Sequence, residues 1–66
     1  MEKIGMIIKQ RRLELGINQQ TLADLAGVGI NTVVAAERGT GNPSYNTLES
    51  ILNTLGLTID VRLMKR

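Results

Sequence analysis

The stretch "QQTLADLAGVGINTVVAAERG", residues 19–39, reads as two short helices with a tight break between them. Leu22, Ala23 and Ala26 recur at helical spacing, as do Val33 and Ala36, so each half has an inward face. Asn18 stands where the first half needs an N-cap. Gly27 and Gly39 stand where each half needs a terminal residue tolerant of the left-handed conformation. The spacing therefore predicts helices over 19–26 and 30–38, joined through Gly27-Val28-Gly29. The second half is unusual: its outward positions include Ile30, Val34 and Ala35, where a surface helix ordinarily carries charge.

The same punctuation extends in both directions. Ile4, Ile8 and Leu15 share a face and predict a first helix over 3–15, whose start Gly5 weakens. Asn42-Pro43-Ser44 predicts a turn, with Ser44 capping a fourth helix that runs to Leu55 and turns Leu48, Ile51 and Leu55 inward. After Gly56 the period changes to two. Leu57, Ile59, Val61 and Leu63 alternate with Thr58, Asp60, Arg62 and Met64, which predicts a strand over 58–64.

Composition removes several function classes. Sixty-six residues make a single domain, 1–66, that buries only about 60% of the unfolded chain's surface. With no Cys and no His, disulfides, thiolate chemistry and ordinary zinc sites are excluded, and neither cofactor nor metal is expected. The only serines are Ser44, a cap, and Ser50, and no nucleophile–base pair is available, so an enzyme is not expected and no catalytic residue is assigned. No targeting signal and no membrane span are visible, which places the chain in the cytoplasm. The net charge of +2 permits nucleic-acid binding without requiring it.

Two short helices closely packed through Ala23 and Ala26 at a steep angle form a helix-turn-helix, whose second helix enters the major groove. An ordinary helical hairpin fits the spacing as well. The longer stretch "INQQTLADLAGVGINTVVAAERGTGNPSYNTLESILNTLGL", residues 17–57, resembles the XRE/Cro family, the lambdoid phage repressor type. The resemblance rests on Gln19, Leu22-Ala23, Gly27-Val28, Thr32-Val33, Glu37-Arg38-Gly39, Asn42-Pro43-Ser44, Thr47-Leu48 and Leu55-Gly56. "IGMIIKQRRLELG" resembles the family's first helix, so the likeness covers residues 4–57. It implies a mainly α, lambda-repressor-like four-helix domain.

The resemblance also implies roles. Ile30 and Asn31 face base edges, Val34 and Ala35 follow one turn later, and Thr32 reaches a phosphate or a base. Asn31 suits the bidentate contact to adenine, while the apolar side chains suit thymine methyls. Many members carry Gln, Ser, Lys or Arg at some of these positions, so the rival reading is a helix that has become a protein contact. Phosphates fall to Asn18 and Gln19 at the start of the second helix, and to Arg38, Thr40, Gly41 and Asn42 after the third. Arg38 is the only basic residue between Arg12 and Arg62, which implies a salt slope no steeper than about −6. Arg12 and Glu37 stand where the family has a buried ion pair.

A short chain ending in a strand is similar to the HipB-type antitoxins, which repress their own operon and hold a HipA-type kinase toxin. That implies three partners: operator DNA, a second copy of the chain and a HipA-like kinase. It implies a bacterial or phage protein associated with the nucleoid. A phage-type repressor without a toxin, or a protein-interaction module on the same fold, is the alternative. A lone strand leaves backbone groups unpaired along its edges, so residues 58–64 are expected to pair antiparallel with their own image in a homodimer. Leu57, Ile59, Val61 and Leu63 would then face the helices.

Overall fold

In the computed structural model, which describes residues 2–60, α1 spans Glu2–Glu14, α2 Gln19–Ala26, α3 Ile30–Arg38 and α4 Tyr45–Thr54. Local chemistry sets these bounds. Asn18 Oδ1 accepts the Thr21 N–H at 2.7 Å and Ser44 Oγ accepts the Thr47 N–H at 3.2 Å, each satisfying a donor that the first helical turn leaves orphaned. At Gly27 the chain turns with φ 72°, and the Val28 N–H folds back to the Ala23 carbonyl at 3.0 Å. A side chain at Gly27 would strain that turn, which places α3 only three residues after α2.

The core is built from inward faces of all four helices: Ile8, Leu22, Ala23, Val33, Ala36, Leu48, Ile51, Leu52 and Leu55. Ile4, Ile17, Ala26, Val28, Leu57 and Ile59 pack against its margin. Leu15, expected beside Ile4 and Ile8, is instead exposed. The helix stops at Glu14, so Leu15 opens the turn to Gly16 and leaves the inward face, where Arg12 stands among the buried residues. Leu52, not assigned inward from the sequence, is buried beside Ile51.

α1 packs most extensively on α3, and Gly5 makes this possible. A Cβ built on Gly5 would lie 2.6 Å from the Glu37 carbonyl oxygen and would also strike that of Ala36. The glycine that looks like a flaw in the helix is therefore the point of closest approach between two backbones.

The expected strand, 58–64, falls partly outside the described residues; Val61 and Leu63 lie there. Among the described residues, 57–60 included, no strand is formed. Leu57 and Ile59 are half-buried against the core while Thr58 and Asp60 are exposed, the alternation that the sequence predicts.

Candidate nucleic-acid interface

Arg12, Glu37 and Gln19 form one buried polar cluster behind the two short helices. Arg12 Nε donates to Glu37 Oε2 at 2.7 Å and Arg12 Nη2 to Glu37 Oε1 at 3.1 Å, a two-pronged pairing across 25 residues of chain. Arg12 Nη1 donates to the Ile17 carbonyl at 3.0 Å, so the same guanidinium also holds the turn that leads into α2. The two charged side chains keep only 9% and 4% of their exposure, yet no buried side-chain N or O among the described residues lacks a partner. The hydrogen bonds it donates to Glu37 hold the Arg12 guanidinium above its ordinary pKa against the opposing effect of burial, and the carboxylate's charge adds to them. The cation therefore stays charged throughout the pH range in which a protein is studied.

The side-chain amide of Gln19 donates to Glu37 Oε1 at 3.2 Å. Asn18 likewise uses its side-chain oxygen for the cap. What the start of α2 offers an anion is therefore backbone. The N–H groups of Gln19 and Gln20 are left without an acceptor among the described residues, at the positive end of the helix dipole.

The outward side of α3 is less bare than its composition suggests. Ile30 and Asn31 are exposed on the first turn, and Thr32, Val34 and Ala35 are half-buried. Val34 lines a hollow with Lys9, Arg12, Gln19, Glu37 and Arg38. On the other flank, Asn31, Thr32 and Ala35 line a groove with Thr40, Gly41, Asn42 and Pro43. The Ala35 carbonyl accepts the Thr40 N–H at 3.0 Å and the Thr40 hydroxyl at 3.4 Å. The loop after α3 thus folds beside the reading face, bringing Asn31 and Asn42 to one groove. Arg38 is exposed on the opposite flank.

α3 begins at Gly29 with no side-chain cap. Among the described residues no group of His, Cys, Asp and Glu side chains is placed to hold a metal ion, and no helix is long and apolar enough to cross a membrane. Lys9, brought to the hollow from α1, was missed by sequence reasoning. Its spacing three residues before Arg12 was the available signal.

Two short helices closed by a glycine turn, the second presenting its first turn to solvent, define a helix-turn-helix domain. The chain belongs to the XRE-type helix-turn-helix family, whose model, described as helix-turn-helix, matches residues 8–61. It is 38% identical over 52 residues to the cryptic phage CTXphi transcriptional repressor RstR of Vibrio cholerae, covering 79% of this chain and 47% of that protein. It is 34% identical over 58 residues to an HTH-type transcriptional regulator of Sinorhizobium fredii, covering 88% of this chain and 76% of the other. An HTH-type transcriptional regulator of Methanothermobacter thermautotrophicus is 38% identical over 50 residues, or 76% and 72% of the two chains. The chain thus spans about half the length of the Vibrio repressor and about three quarters of the other two.

Proposed function

We propose that this protein is a sequence-specific DNA-binding transcriptional repressor that acts as a homodimer on its own promoter. The observation that carries the reading is the exposed first turn of α3, with Ile30 and Asn31 outward, set beside the free backbone donors that open α2. In this reading Asn31 selects adenine, Ile30 and Val34 pack on thymine methyls, and Ala35 and Thr32 border the base edges. Thr40, Gly41 and Asn42 hold phosphates on one side, and Arg38 does so on the other together with the N–H groups of Gln19 and Gln20. Family membership and the relatives' names as regulators and repressors support regulation by binding rather than by catalysis.

A mobility-shift comparison tests it, using a duplex from the region upstream of the protein's own gene and a scrambled duplex of equal length. The parent should prefer the upstream duplex, and Asn31→Ala should lose about 1–3 kcal/mol of that preference, roughly five- to 150-fold. Equal affinity of the parent for both duplexes rejects sequence-specific repression.

The homodimer rests on residues 57–60, where Leu57 and Ile59 turn inward and Thr58 and Asp60 outward. Carried on in sequence through Val61 and Leu63, this alternation suits a strand that pairs antiparallel with its own image. Val61→Pro removes a ladder donor and should give a monomer with weak DNA affinity. A variant that still sediments as a dimer excludes the strand pairing.

The HipB-type role, with a HipA-like kinase as third partner, is the second reading. What favours it is the outer side of α1, where Met6 and Leu13 are 71% and 59% exposed and leave an apolar surface. Co-purification with the product of the adjacent reading frame tests it, with Leu13→Glu expected to break the complex.

A further inference from the structure

We infer that Lys9, on α1 and outside the helix-turn-helix itself, is a DNA-phosphate contact that works together with Arg38. The inference rests on the DNA-binding reading above and adds to it a residue from a different element. Gly5, Ile8 and Arg12 mark the side of α1 that faces α3, and Lys9 flanks it, exposed, one turn before Arg12. There it lines the hollow that also contains Gln19, at the start of α2, and Val34, Glu37 and Arg38 of α3.

The charges in this hollow divide into two kinds. Arg12 and Glu37 pair with each other and cancel. Lys9 and Arg38 remain at the rim, both exposed, and neither forms an ion pair among the described residues. The rim is therefore left with two positive charges and a neutral floor. Beside them lie the two free N–H groups that open α2, and between the elements lies Val34, one turn along from the exposed Ile30. A DNA strand whose bases meet the first turn of α3 carries its phosphates across this rim.

A lysine suits such a place. Its ammonium is a compact charge on a flexible stem that follows a phosphate without demanding one geometry, and it carries no base preference. Removing it should therefore weaken binding to every sequence alike. Each phosphate contact contributes about 0.9 to the slope of log K against log salt. The count of phosphate contacts made from residues after Arg12 alone is then one short.

The test uses the full chain and the two duplexes named above, with affinities measured over a range of salt. Lys9→Gln should flatten the slope by about 0.9 on both duplexes and leave the melting temperature unchanged, and Lys9→Arg should restore the slope. Combined with Arg38→Gln, the flattening should roughly double. An unchanged slope in Lys9→Gln overturns the contact while leaving DNA binding intact. A loss confined to the upstream duplex overturns it too, because it would make Lys9 a base reader. A parent that binds neither duplex overturns the DNA-binding reading and this contact with it.

Discussion

Arg11 and Arg12 are adjacent in the chain and serve different seams of the molecule. Arg12 meets α3: its carboxylate partner lies at 2.7 Å and both side chains are almost wholly covered. Arg11 meets the end of α4, where its Nε donates to the Leu55 carbonyl at 2.9 Å, and it reaches Glu14 at 3.5 Å with side chains 39% and 56% exposed. About 100° of helical rotation separates a charge taken out of water from one left in it. The difference is in desolvation rather than in chemistry. An exposed pair has water as a ready substitute, whereas removing one member of a buried pair strands the other.

The contrast is broken most sharply by Arg12→Ala. Leaving Glu37 buried and unpaired costs roughly 3–5 kcal/mol, comparable to the whole stability of about 3–10 kcal/mol that 66 residues support. The variant is expected to be largely unfolded by circular dichroism at room temperature. A melting temperature within a few degrees of the parent's would refute this. Replacing both members, as in Arg12→Met with Glu37→Leu, should do less damage than Arg12→Ala, because no charge is then stranded.

Gly5→Ala tests the same seam from its backbone. Helix propensity alone would raise stability by about 0.5–1 kcal/mol. The new Cβ, however, would press on the carbonyls of Ala36 and Glu37, which cannot swing aside as a side chain can. Forced separation of α1 from α3 should win, with a net loss of about 1–3 kcal/mol seen as a lower urea midpoint. A raised midpoint would show that the two backbones have room to part.

On the other seam, Arg11→Ala should cost about 0.5–1.5 kcal/mol, the net value of one half-covered hydrogen bond. Glu14→Gln should change stability by less than about 0.5 kcal/mol and become undetectable in high salt. If Arg11→Ala matched Arg12→Ala in effect, burial would not be what separates them.

The smallest effect concerns another exposed pair. The Tyr45 hydroxyl donates to Glu49 Oε2 at 3.0 Å, and this hydrogen bond, with the carboxylate's charge, holds the phenol above its ordinary pKa of about 10. What little the interaction contributes is present at neutral pH and lost as pH rises through the raised value. Glu49→Gln should return the titration toward the ordinary value. As the chain contains one tyrosine, its ultraviolet absorbance reports this directly.

Much of this architecture is legible in the sequence because it depends on neighbours. Asn18 and Ser44 cap because each needs only a donor three residues on, and Gly27 ends α2 through its own φ. The inward faces at Leu22 and Ala23, at Val33 and Ala36, and at Leu48 and Ile51 follow from helical period alone. The half-burial of Leu57 and Ile59 follows in the same way from a period of two. Arg12 and Glu37 were accessible by family resemblance, not by spacing, since nothing local joins residues 25 apart.

Tertiary structure decided what those neighbours could not. Gly5 reads locally as a weak helix start, and only the α3 carbonyls pressed against it give the missing side chain a purpose. Gln19 reads only as the first residue of α2, and the fold alone gives its side-chain amide a partner in Glu37. Ala35 reads as bare surface until the loop through Thr40 and Gly41 folds over its flank. Lys9 has no evident role until α1 is laid against α3 and its charge comes to share a hollow with Arg38. The physical reason is common to all four. Caps and helical period act within a few residues, whereas steric closeness, desolvation and the summing of charges act through space and wait for distant segments to meet.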